Sequence, residues 1–439
     1  MRIYGGLTVT GRSAKVADVV VQGGRISSVE PPSTGGDIDA RGCFVLPGGV
    51  DPHTHPLSDL RAASTWAARG GTTTLLAFTS PQSGESPTHA YVRAENDALP
   101  NTVVSARLHP VVARPETFGK HELEALQRQG ARSLKLFLAY PELGMAVSDV
   151  TLYETLRDAA RVGILVMVHC ESPGLIEART RELIAAGSVD ARAFADSRPP
   201  SAEAEGVART LYFARLAEAP VYLVHLTTKE SLDLVRAARH RGQTVYAEAC
   251  THHLILDDSV YDRDDAERFL VVPPLRPRPD VEALWEGILD GTIDTVGSDH
   301  VQAPHVPAES TGDFRSLPYG FAGVEVRLPL VLSEGSKRQI PLPRLAEVLA
   351  TRPAEVFELH ASKGAIRAGG DADIVIWDPE PVRVLQREEL HGGLEESPFD
   401  GIEARGNIRT VFHRGSRVSG ARPNESTIAT ATANPQILP

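Results

Sequence analysis

The pattern of apolar and polar residues divides the chain into three stretches of different character. Residues 1 to about 46 contain short apolar or β-branched runs, such as DVVVQGG and RISSVEPP, which glycine and proline separate. This pattern predicts short β-strands. From about residue 47, short apolar runs alternate with helical patterns such as KESLDLVRAARHRG. From about residue 365 the β-type pattern returns in GAIRAGGDADIVIWDP. We therefore predict strands at both chain ends and parallel βα units between them.

The central stretch contains eight strand candidates, which are FVLPGGVDPHTH, TTTLLAF, TVVSARLHP, SLKLFL, ILVMVH, VYLVH, TVYAEAC and TIDTVGSDH. Eight such strands can close a (β/α)8 TIM-type barrel, so the predicted fold class is α/β. An open doubly wound sheet is the alternative. We expect residues 47–365 to form the barrel, and residues 1–46 and 366–421 to form one discontinuous β-sandwich domain. Residues 422–439 lack clear periodicity, and we expect a C-terminal tail there.

Length, charge and cysteine content narrow the possible partners and compartment. The 439 residues are enough for a large domain and a smaller one, and the formal net charge of -12 disfavours nucleic acids and anionic membranes as partners. We therefore expect a small-molecule partner. The N-terminus lacks a signal-peptide pattern, and no apolar run reaches transmembrane length. Three scattered cysteines do not suggest a disulfide framework, so we expect a cytoplasmic protein.

Ionisable residues lie at the carboxyl ends of five of the eight strand candidates. They are His53 and His55, Lys135, His169, His225, and Asp299 followed by His300. In an extended segment residues i and i+2 point the same way, so His53 and His55 can bind one metal ion. The carboxyl ends of barrel strands converge on one face. Taken singly, His169 has an alternative role as a core histidine, and Asp299 as a helix cap. Their convergence favours a metal site.

Four histidines and one aspartate can hold two divalent ions, but two close cations need an anionic bridge. Lys135 can supply that bridge if its amine reacts with carbon dioxide, because the carbamate is a bidentate anionic ligand. Burial readily lowers the pKa of a lysine and so provides the free amine for this N6-carboxylation. We therefore expect two divalent metal ions per chain. Nitrogen ligands make zinc the default metal, and manganese or cobalt suits the same ligands.

Sequence motifs along nearly the whole chain resemble the amidohydrolase superfamily. The motifs are PGGVDPHTH, GGTTT, KLFLAY, VHCES, VHLTT, VPPLRP, GSDH, GDADIVIWDP and SPFDG. Within the superfamily they are similar to the cyclic amidohydrolases, namely hydantoinase, dihydropyrimidinase, allantoinase and dihydroorotase. Tyr140 and the SPFDG motif favour the hydantoinase or dihydropyrimidinase type.

This resemblance implies a ligand set and a mechanism. The implied ligands are His53 and His55 at the more buried metal, His169 and His225 at the other, carbamylated Lys135 between them, and Asp299. The resemblance also implies a metal-bridging hydroxide that attacks a ring amide, with Asp299 moving the proton to the leaving nitrogen. Tyr140 is implied as a hydrogen-bond donor to the oxyanion, or it simply covers the end of a strand. A homodimer or homotetramer is implied as well.

Four departures from the family pattern leave the ring substrate open. Leu57 stands where dihydroorotases typically place an arginine, so a substrate carboxylate would need Arg61 or another cation. Val272 replaces the usual serine of hydantoinases, and Tyr319 replaces the usual asparagine, at positions that often contact the substrate ring through backbone groups. Tyr319 either narrows the pocket, stacks on a flat ring or turns away. The spacing in GSDHVQAPH is longer than usual and suggests an altered loop.

Other residues near the strand ends have two possible roles. Glu248, His252 and His253 follow the seventh strand, where they either orient metal ligands or pack within a loop. Cys170 directly follows a predicted ligand, and we expect it to be an unreactive packing residue.

The predicted function is a binuclear metal-dependent hydrolase that opens a hydantoin, dihydropyrimidine, or related ureide or imide ring. An allantoinase or a dihydroorotase-like enzyme is the nearest alternative. A non-catalytic scaffold relative is an alternative of another class, although such relatives generally lose ligands and every ligand position is filled here. A mononuclear deaminase would not need Lys135.

Overall fold

A computed structural model of the chain describes residues 1–11, 13–56, 59–301, 312–391 and 397–419. Leu57, the end of the GSDHVQAPH segment and the predicted tail at 422–439 lie outside these residues.

The strands at both chain ends belong to one eight-stranded sheet. They are β1 (Arg2–Thr10), β2 (Ser13–Gln22), β3 (Arg25–Glu30), β4 (Ile38–Asp39), β5 (Phe44–Pro47), β15 (Ile374–Val384), β16 (Glu403–His413) and β17 (Ser416–Ser419). Their order is β17-β16-β15-β5-β1-β2-β3, and β4 pairs with β1. Strand β5 joins the two ends because it pairs parallel with β1 and antiparallel with β15. The domain boundaries and the arrangement as a β-sandwich stay predictions.

The central strands form two parallel sheets. They are β6 (Gly49–His55), β7 (Thr72–Phe78), β8 (Ser105–His109), β9 (Ser133–Phe137), β10 (Leu165–His169), β11 (Val221–Leu223), β12 (Val245–Cys250), β13 (Thr295–Gly297) and β14 (His300–Val301). One sheet has the order β13-β12-β11-β10-β9 and the other β14-β6-β7-β8. An isolated parallel bridge between Val111 and Lys135 follows β8 and reaches β9. The predicted parallel α/β organisation is therefore confirmed.

The first predicted strand, FVLPGGVDPHTH, is divided into two strands in the structure. Its first half is β5, which belongs to the mixed sheet, and its second half is β6, which pairs with β7. The division falls at Gly48, where a Cβ atom would lie 2.2 Å from Thr73 Oγ1. Both halves are extended and largely buried, so the sequence pattern alone does not mark the change of sheet.

Helices follow most of the parallel strands. They are α1 (Leu60–Arg69), α2 (Pro87–Asp97), α3 (Lys120–Arg128), α4 (Asp149–Val162), α5 (Pro173–Ala185), α6 (Ala191–Ser197), α7 (Pro200–Leu216), α8 (Lys229–His240), α9 (Thr251–Ile255), α10 (Arg278–Asp290), α11 (Arg327–Lys337), α12 (Leu342–Ala346) and α13 (Arg352–Val356). The helical pattern KESLDLVRAARHRG corresponds to α8. Within the described ranges, every helix is too short or too polar to cross a membrane.

Alternate residues of the parallel strands face two different apolar clusters. Leu134 and Leu136 belong to the large cluster that the strands share with the surrounding helices. Phe137 belongs to a smaller cluster with Phe78. Because side chains alternate along a strand, Lys135 points to the same side as Phe137. Its Nζ atom lies 4.9 Å from the ring centroid of Phe78 and 5.0 Å from that of Phe137. The strand thus directs an amine into an apolar interior.

Candidate metal centre

Four predicted histidine ligands form a continuous arc at the carboxyl ends of the parallel strands. The ring centroids of His55 and His53 lie 5.2 Å apart, those of His53 and His225 5.4 Å, and those of His225 and His169 4.5 Å. His53, His169 and His225 are buried, and His55 is partly exposed. Burial lowers the pKa of His169, and it lowers that of His55 to about 4. Neutral imidazoles are the form that binds metal ions.

Asp299 lies against the first histidine pair. Its Oδ1 atom lies 3.0 Å from His53 Nε2 and 3.3 Å from His55 Nε2, and the two Nε2 atoms are 3.2 Å apart. His225 adds a further ligand atom, since His53, His225 and Asp299 each have one within 4.8 Å of the others. Two imidazole lone pairs and a carboxylate at such distances repel one another unless a proton or a cation lies between them. The set therefore fits a divalent ion.

The charges of this group perturb one another strongly. Burial alone would lower the pKa of His53, but the carboxylates of Asp299 and Glu248 outweigh it and raise the pKa to about 9. Burial alone would raise the pKa of Asp299, but His53 and His55 hold it well below its usual range. Asp299 is therefore a carboxylate at neutral pH. Its backbone has a φ of 46°, a conformation that non-glycine residues rarely adopt outside functional or strained sites.

Lys135 lies between the two histidine pairs. The rings that flank its amine reach both pairs, since Phe78 stacks on His55 at 4.7 Å and Phe137 contacts His169 at 5.9 Å. The amine is fully buried, and within the described ranges it has no hydrogen-bond partner. Burial lowers its pKa to about 8. An unpartnered buried amine is costly, so a further group at Nζ that brings its own charge and partners would fit this position.

Glu248 forms hydrogen bonds with two of the histidines. Its Oε1 atom accepts hydrogen bonds from His53 Nδ1 at 2.6 Å and from the His225 backbone N–H at 3.0 Å. Its Oε2 atom accepts one from the Tyr222 hydroxyl at 2.6 Å. The bond to Nδ1 leaves Nε2 of His53 free to face Asp299 and a metal ion. Of the two roles that the sequence left open for Glu248, the geometry favours orientation of metal ligands.

Glu171 and Arg198 support the second histidine pair. Glu171 Oε2 lies 2.7 Å from His169 Nε2 and accepts a hydrogen bond from Arg198 Nη1 at 2.9 Å. Burial alone would raise the pKa of Glu171, but Arg198 and His169 lower it to about 2. The guanidinium of Arg198 also lies 5.8 Å from the ring centroid of Tyr140. The charged pair of Glu171 and Arg198 therefore connects His169 to Tyr140.

A buried ion pair ties β6 to the chain segment that precedes Asp299. Asp51 Oδ1 accepts hydrogen bonds from the backbone N–H groups of His53 at 3.2 Å and Ser298 at 3.0 Å. Asp51 Oδ2 lies 3.6 Å from Nε of fully buried Arg327, whose Nη1 donates to the Val296 carbonyl at 2.8 Å. These contacts hold the first histidine pair and Asp299 in a fixed relation.

The predicted substrate-contacting residues lie on one side of the histidine arc. The Tyr140 ring is 5.3 Å from the His169 ring, and burial raises the pKa of its hydroxyl well above the usual value. The Tyr319 ring is parallel to that of Tyr140 at 6.4 Å and is 38% exposed. Val272 is buried in an apolar cluster that Tyr140 borders. Arg61, the alternative anchor for a carboxylate, is exposed on α1.

Other residues near the strand ends are buried and contact groups outside the histidine arc. His253 Nε2 lies 3.0 Å from the Pro273 carbonyl, and the ring of His252 packs edge-on to Phe321 at 5.1 Å. Cys170 is buried, and burial raises its thiol pKa to about 12, so it is a poor nucleophile at neutral pH.

Glu171, Asp51, Arg198 and Arg327 were missed in the sequence. A signal exists for the first two, since each lies two residues from a histidine in an extended segment and so on the same side. Arg198 and Arg327 come from distant helical regions, and no local spacing relates them to the histidines.

The chain is similar to known enzymes along almost its whole length. A model of the amidohydrolase family matches residues 44–418. A D-hydantoinase from Rhizobium radiobacter is 37% identical over 428 residues, which cover 94% of this chain and 93% of that protein. A D-phenylhydantoinase from Escherichia coli O1:K1 / APEC is 33% identical, with 95% and 94% covered. The crystal structure of a dihydropyrimidinase from Brevibacillus agri superposes with a TM-score of 0.89, at 31% identity and 95% coverage of both chains.

The chain therefore belongs to the amidohydrolase family. Within that family it is a cyclic amidohydrolase of the hydantoinase/dihydropyrimidinase type, which confirms the predicted resemblance and the predicted class of enzyme.

Proposed function

We propose that the protein uses two divalent metal ions to hydrolyse the ring amide of a hydantoin, a dihydropyrimidine or a related ureide or imide. The observation that carries this proposal is the convergence of four histidines, an ionised aspartate and a buried lysine amine that has no hydrogen-bond partner among the described residues. The relatives named D-hydantoinase, D-phenylhydantoinase and dihydropyrimidinase support the choice of ring substrates.

We assign the metal ligands by their positions along the arc. The proposed set is His53 and His55 for one ion, His169 and His225 for the other, Lys135 between them as the N6-carboxylated carbamate, and Asp299. The Nζ atom has no hydrogen-bond partner in the described part of the chain, which supports the carbamate, because the added carboxylate would bring a negative charge between two cations. Zinc is the proposed metal, from the nitrogen and oxygen ligands.

Metal ions in such a site polarise the amide carbonyl and lower the pKa of bound water towards neutrality. Asp299 accepts the proton from the attacking water, because its carboxylate is ionised and lies beside the first histidine pair. It then delivers that proton to the ring nitrogen as the C–N bond breaks. The protein thus supplies a base and an acid in one side chain. The products are a neutral N–H group and a carboxylic acid, which then releases its remaining proton to solvent.

Tyr140 is the proposed hydrogen-bond donor to the developing oxyanion. Burial keeps its hydroxyl protonated, which is the form that can donate. The backbone of Tyr140 has a φ of 65°, and this unusual conformation directs the ring from the end of β9 towards His169. Val272 and Tyr319 complete the proposed substrate-binding side, where Val272 acts through its backbone groups.

The sheets of the structure support a proposal for the domain arrangement of the whole chain. We propose that the two parallel sheets together form a closed (β/α)8 barrel over residues 47–365. The bridge of Val111 to Lys135 and the pairing of β14 with β6 support this closure. We also propose that residues 1–46 and 366–421 form the β-sandwich domain, supported by their shared sheet.

We propose a cytoplasmic homodimer or homotetramer as the working form. The three cysteines are buried free thiols, as is common in a reducing compartment. Exposed apolar side chains on helices, such as Val150, Leu175 and Leu289, offer area for contacts between subunits.

The test is a panel of rings presented to protein of known metal content: hydantoin, 5-substituted hydantoins, dihydrouracil, allantoin, dihydroorotate and cyclic imides. We expect turnover of hydantoins or dihydrouracil, and a loss of about 10²–10⁴-fold in kcat for Asp299→Asn, because that is the usual contribution of a positioned acid–base group. The exposed variant Asp233→Asn serves as the control. Preferred turnover of allantoin or dihydroorotate would reassign the subfamily, and full activity of Asp299→Asn would overturn the mechanism.

A further inference from the structure

A second group of buried ligand residues lies outside the histidine arc, where β12 ends and α9 begins. Cys250 is the last residue of β12, and His252 and His253 belong to α9. All three side chains are buried, and each has one ligand atom within 4.8 Å of the others. None of them belongs to the proposed ligand set of the catalytic centre. A thiol with two imidazoles is a combination that suits zinc and softer cations.

The ring of His252 is buried without a polar partner. Within the described ranges, neither its Nδ1 nor its Nε2 atom has a hydrogen-bond partner. The ring packs edge-on to Phe321 at 5.1 Å, and its centroid lies 4.1 Å from that of His253. Buried polar groups without partners cost free energy and are rare in folded proteins. A metal ion held by His252 would remove part of that cost.

His253 is hydrogen-bonded through one ring nitrogen only. Its Nε2 atom lies 3.0 Å from the Pro273 carbonyl, which can only accept, so Nε2 carries the proton and donates. Nδ1 is then the nitrogen with a lone pair, and it has no hydrogen-bond partner in the described part of the chain. Histidines that bind metal ions usually donate from one nitrogen to a carbonyl or a carboxylate and bind the ion with the other. His253 has this arrangement.

Cys250 supplies sulfur, and a carboxylate lies beside it. Cys250 Sγ is 3.8 Å from Glu248 Oε1. Burial raises the pKa of the thiol well above its usual value, so an ion has to displace its proton. That proton passes to solvent as the bond between sulfur and metal forms. The thiolate and the carboxylate of Glu248 together offset the charge of a divalent ion, which favours a cation at this position.

We propose that Cys250, His252 and His253 form a third metal site, separate from the catalytic pair, for a soft or borderline cation such as Cd²⁺ or Zn²⁺. This inference goes beyond the proposed function, because the proposed catalytic ligands offer nitrogen and oxygen atoms only. Since a buried thiol has to lose its proton, the third ion binds more weakly than the catalytic ions and only in an excess of metal. Simple packing of the same three residues predicts no bond between sulfur and metal.

The test is equilibrium dialysis of zinc-loaded protein against increasing Cd²⁺ until the metal content no longer changes. The ultraviolet charge-transfer absorption of the cadmium–thiolate bond reports this site alone. Cadmium that replaces zinc at nitrogen and oxygen ligands does not produce that absorption. We expect the band to appear in the wild type and to saturate as one ion per chain binds to sulfur.

Variants assign the band to its ligands. Cys250→Ser should abolish it. His252→Gln, which keeps the sulfur, should weaken cadmium binding at least about 10-fold, because even the loss of a group that only orients a ligand costs about 10- to 100-fold. Cys43→Ser is the matched control and should keep the band, since Cys43 is also buried but accepts a hydrogen bond from Arg409 Nη1 at 3.2 Å.

Three results would overturn the inference. They are the absence of a thiolate band in the wild type at saturating cadmium, a band that survives Cys250→Ser, and undiminished cadmium affinity in His252→Gln. The His252→Gln result stands even where Cys250→Ser fails to fold, which circular dichroism reveals. The proposed function fails separately, since a wild type that gives the thiolate band but opens no cyclic amide would keep the third site and lose the assigned activity.

Discussion

Replacing Lys135 with methionine should have opposite effects on the activity of the protein and on its folding stability. Lys135 is fully buried between Phe78 and Phe137, and within the described part of the chain its amine has no hydrogen-bond partner. A methionine of similar length would fill the same space, and its thioether packs favourably beside aromatic rings. We expect Lys135→Met to abolish activity and to raise the stability of the metal-free protein.

The magnitude follows from the pKa of the amine. Burial lowers it from the model-compound value of 10.5 to about 8. Below pH 8 the Lys135 amine is protonated in both the folded and the unfolded protein. The difference in pKa then corresponds to about 3 kcal/mol of destabilisation of the folded wild type. As pH rises from 8 to 10.5 the folded protein loses the proton first, so the wild type gains stability. The advantage of the variant should be about 3 kcal/mol at pH 7, about 2 kcal/mol at pH 9 and below about 1 kcal/mol at pH 10.

Denaturant unfolding of both proteins in chelator and carbon dioxide-free buffer measures this difference. Lys15→Met, at an exposed position on β2, provides the control and should show no such pH dependence. The reasoning fails if Lys135→Met is less stable than the wild type at pH 7, or if its advantage is the same at pH 7 and pH 10.

Two further predictions concern the support of the site and the cysteines. Glu248→Gln should weaken metal binding about 10- to 100-fold in chelator competition, because Glu248 accepts hydrogen bonds from both His53 and the His225 backbone. Unchanged affinity, equal to that of an exposed Glu230→Gln control, would contradict this role. The three buried cysteines should react with a thiol reagent only after denaturation, since burial raises the pKa of Cys170 to about 12. Rapid labelling of the native protein would refute that expectation.

Much of the architecture is predictable because hydrophobic periodicity reports local structure directly. The alternation of Leu134, Lys135 and Leu136 predicts a strand with one polar position, and the structure places that position towards the site. The division at Gly48 is not predictable in this way, because the close approach of Gly48 to Thr73 is a tertiary contact that the local pattern does not report. Local patterns specify the strands but not every partner.

Local sequence patterns likewise predict only part of the candidate site. The metal-ligand candidates were found because strand ends converge in a parallel fold, whatever the distance between them in sequence. Glu171 could be predicted from the same pattern, since it lies two residues after His169. Arg198 was not, because its contact with Glu171 depends on how the chain between α6 and α7 crosses the site. Tyr319 was identified as a departure, but its parallel alignment with Tyr140 required the structure.

Metal reconstitution tests the central claim most directly. Chelator-treated protein is titrated with zinc in the presence of bicarbonate, and both bound metal and hydantoin ring opening are followed at each step. We expect activity to rise to a plateau at two ions per chain, and we expect Lys135→Met never to reach that plateau. Full activity at one ion per chain, or full activity of the Lys135→Met protein, would contradict the binuclear carbamate site.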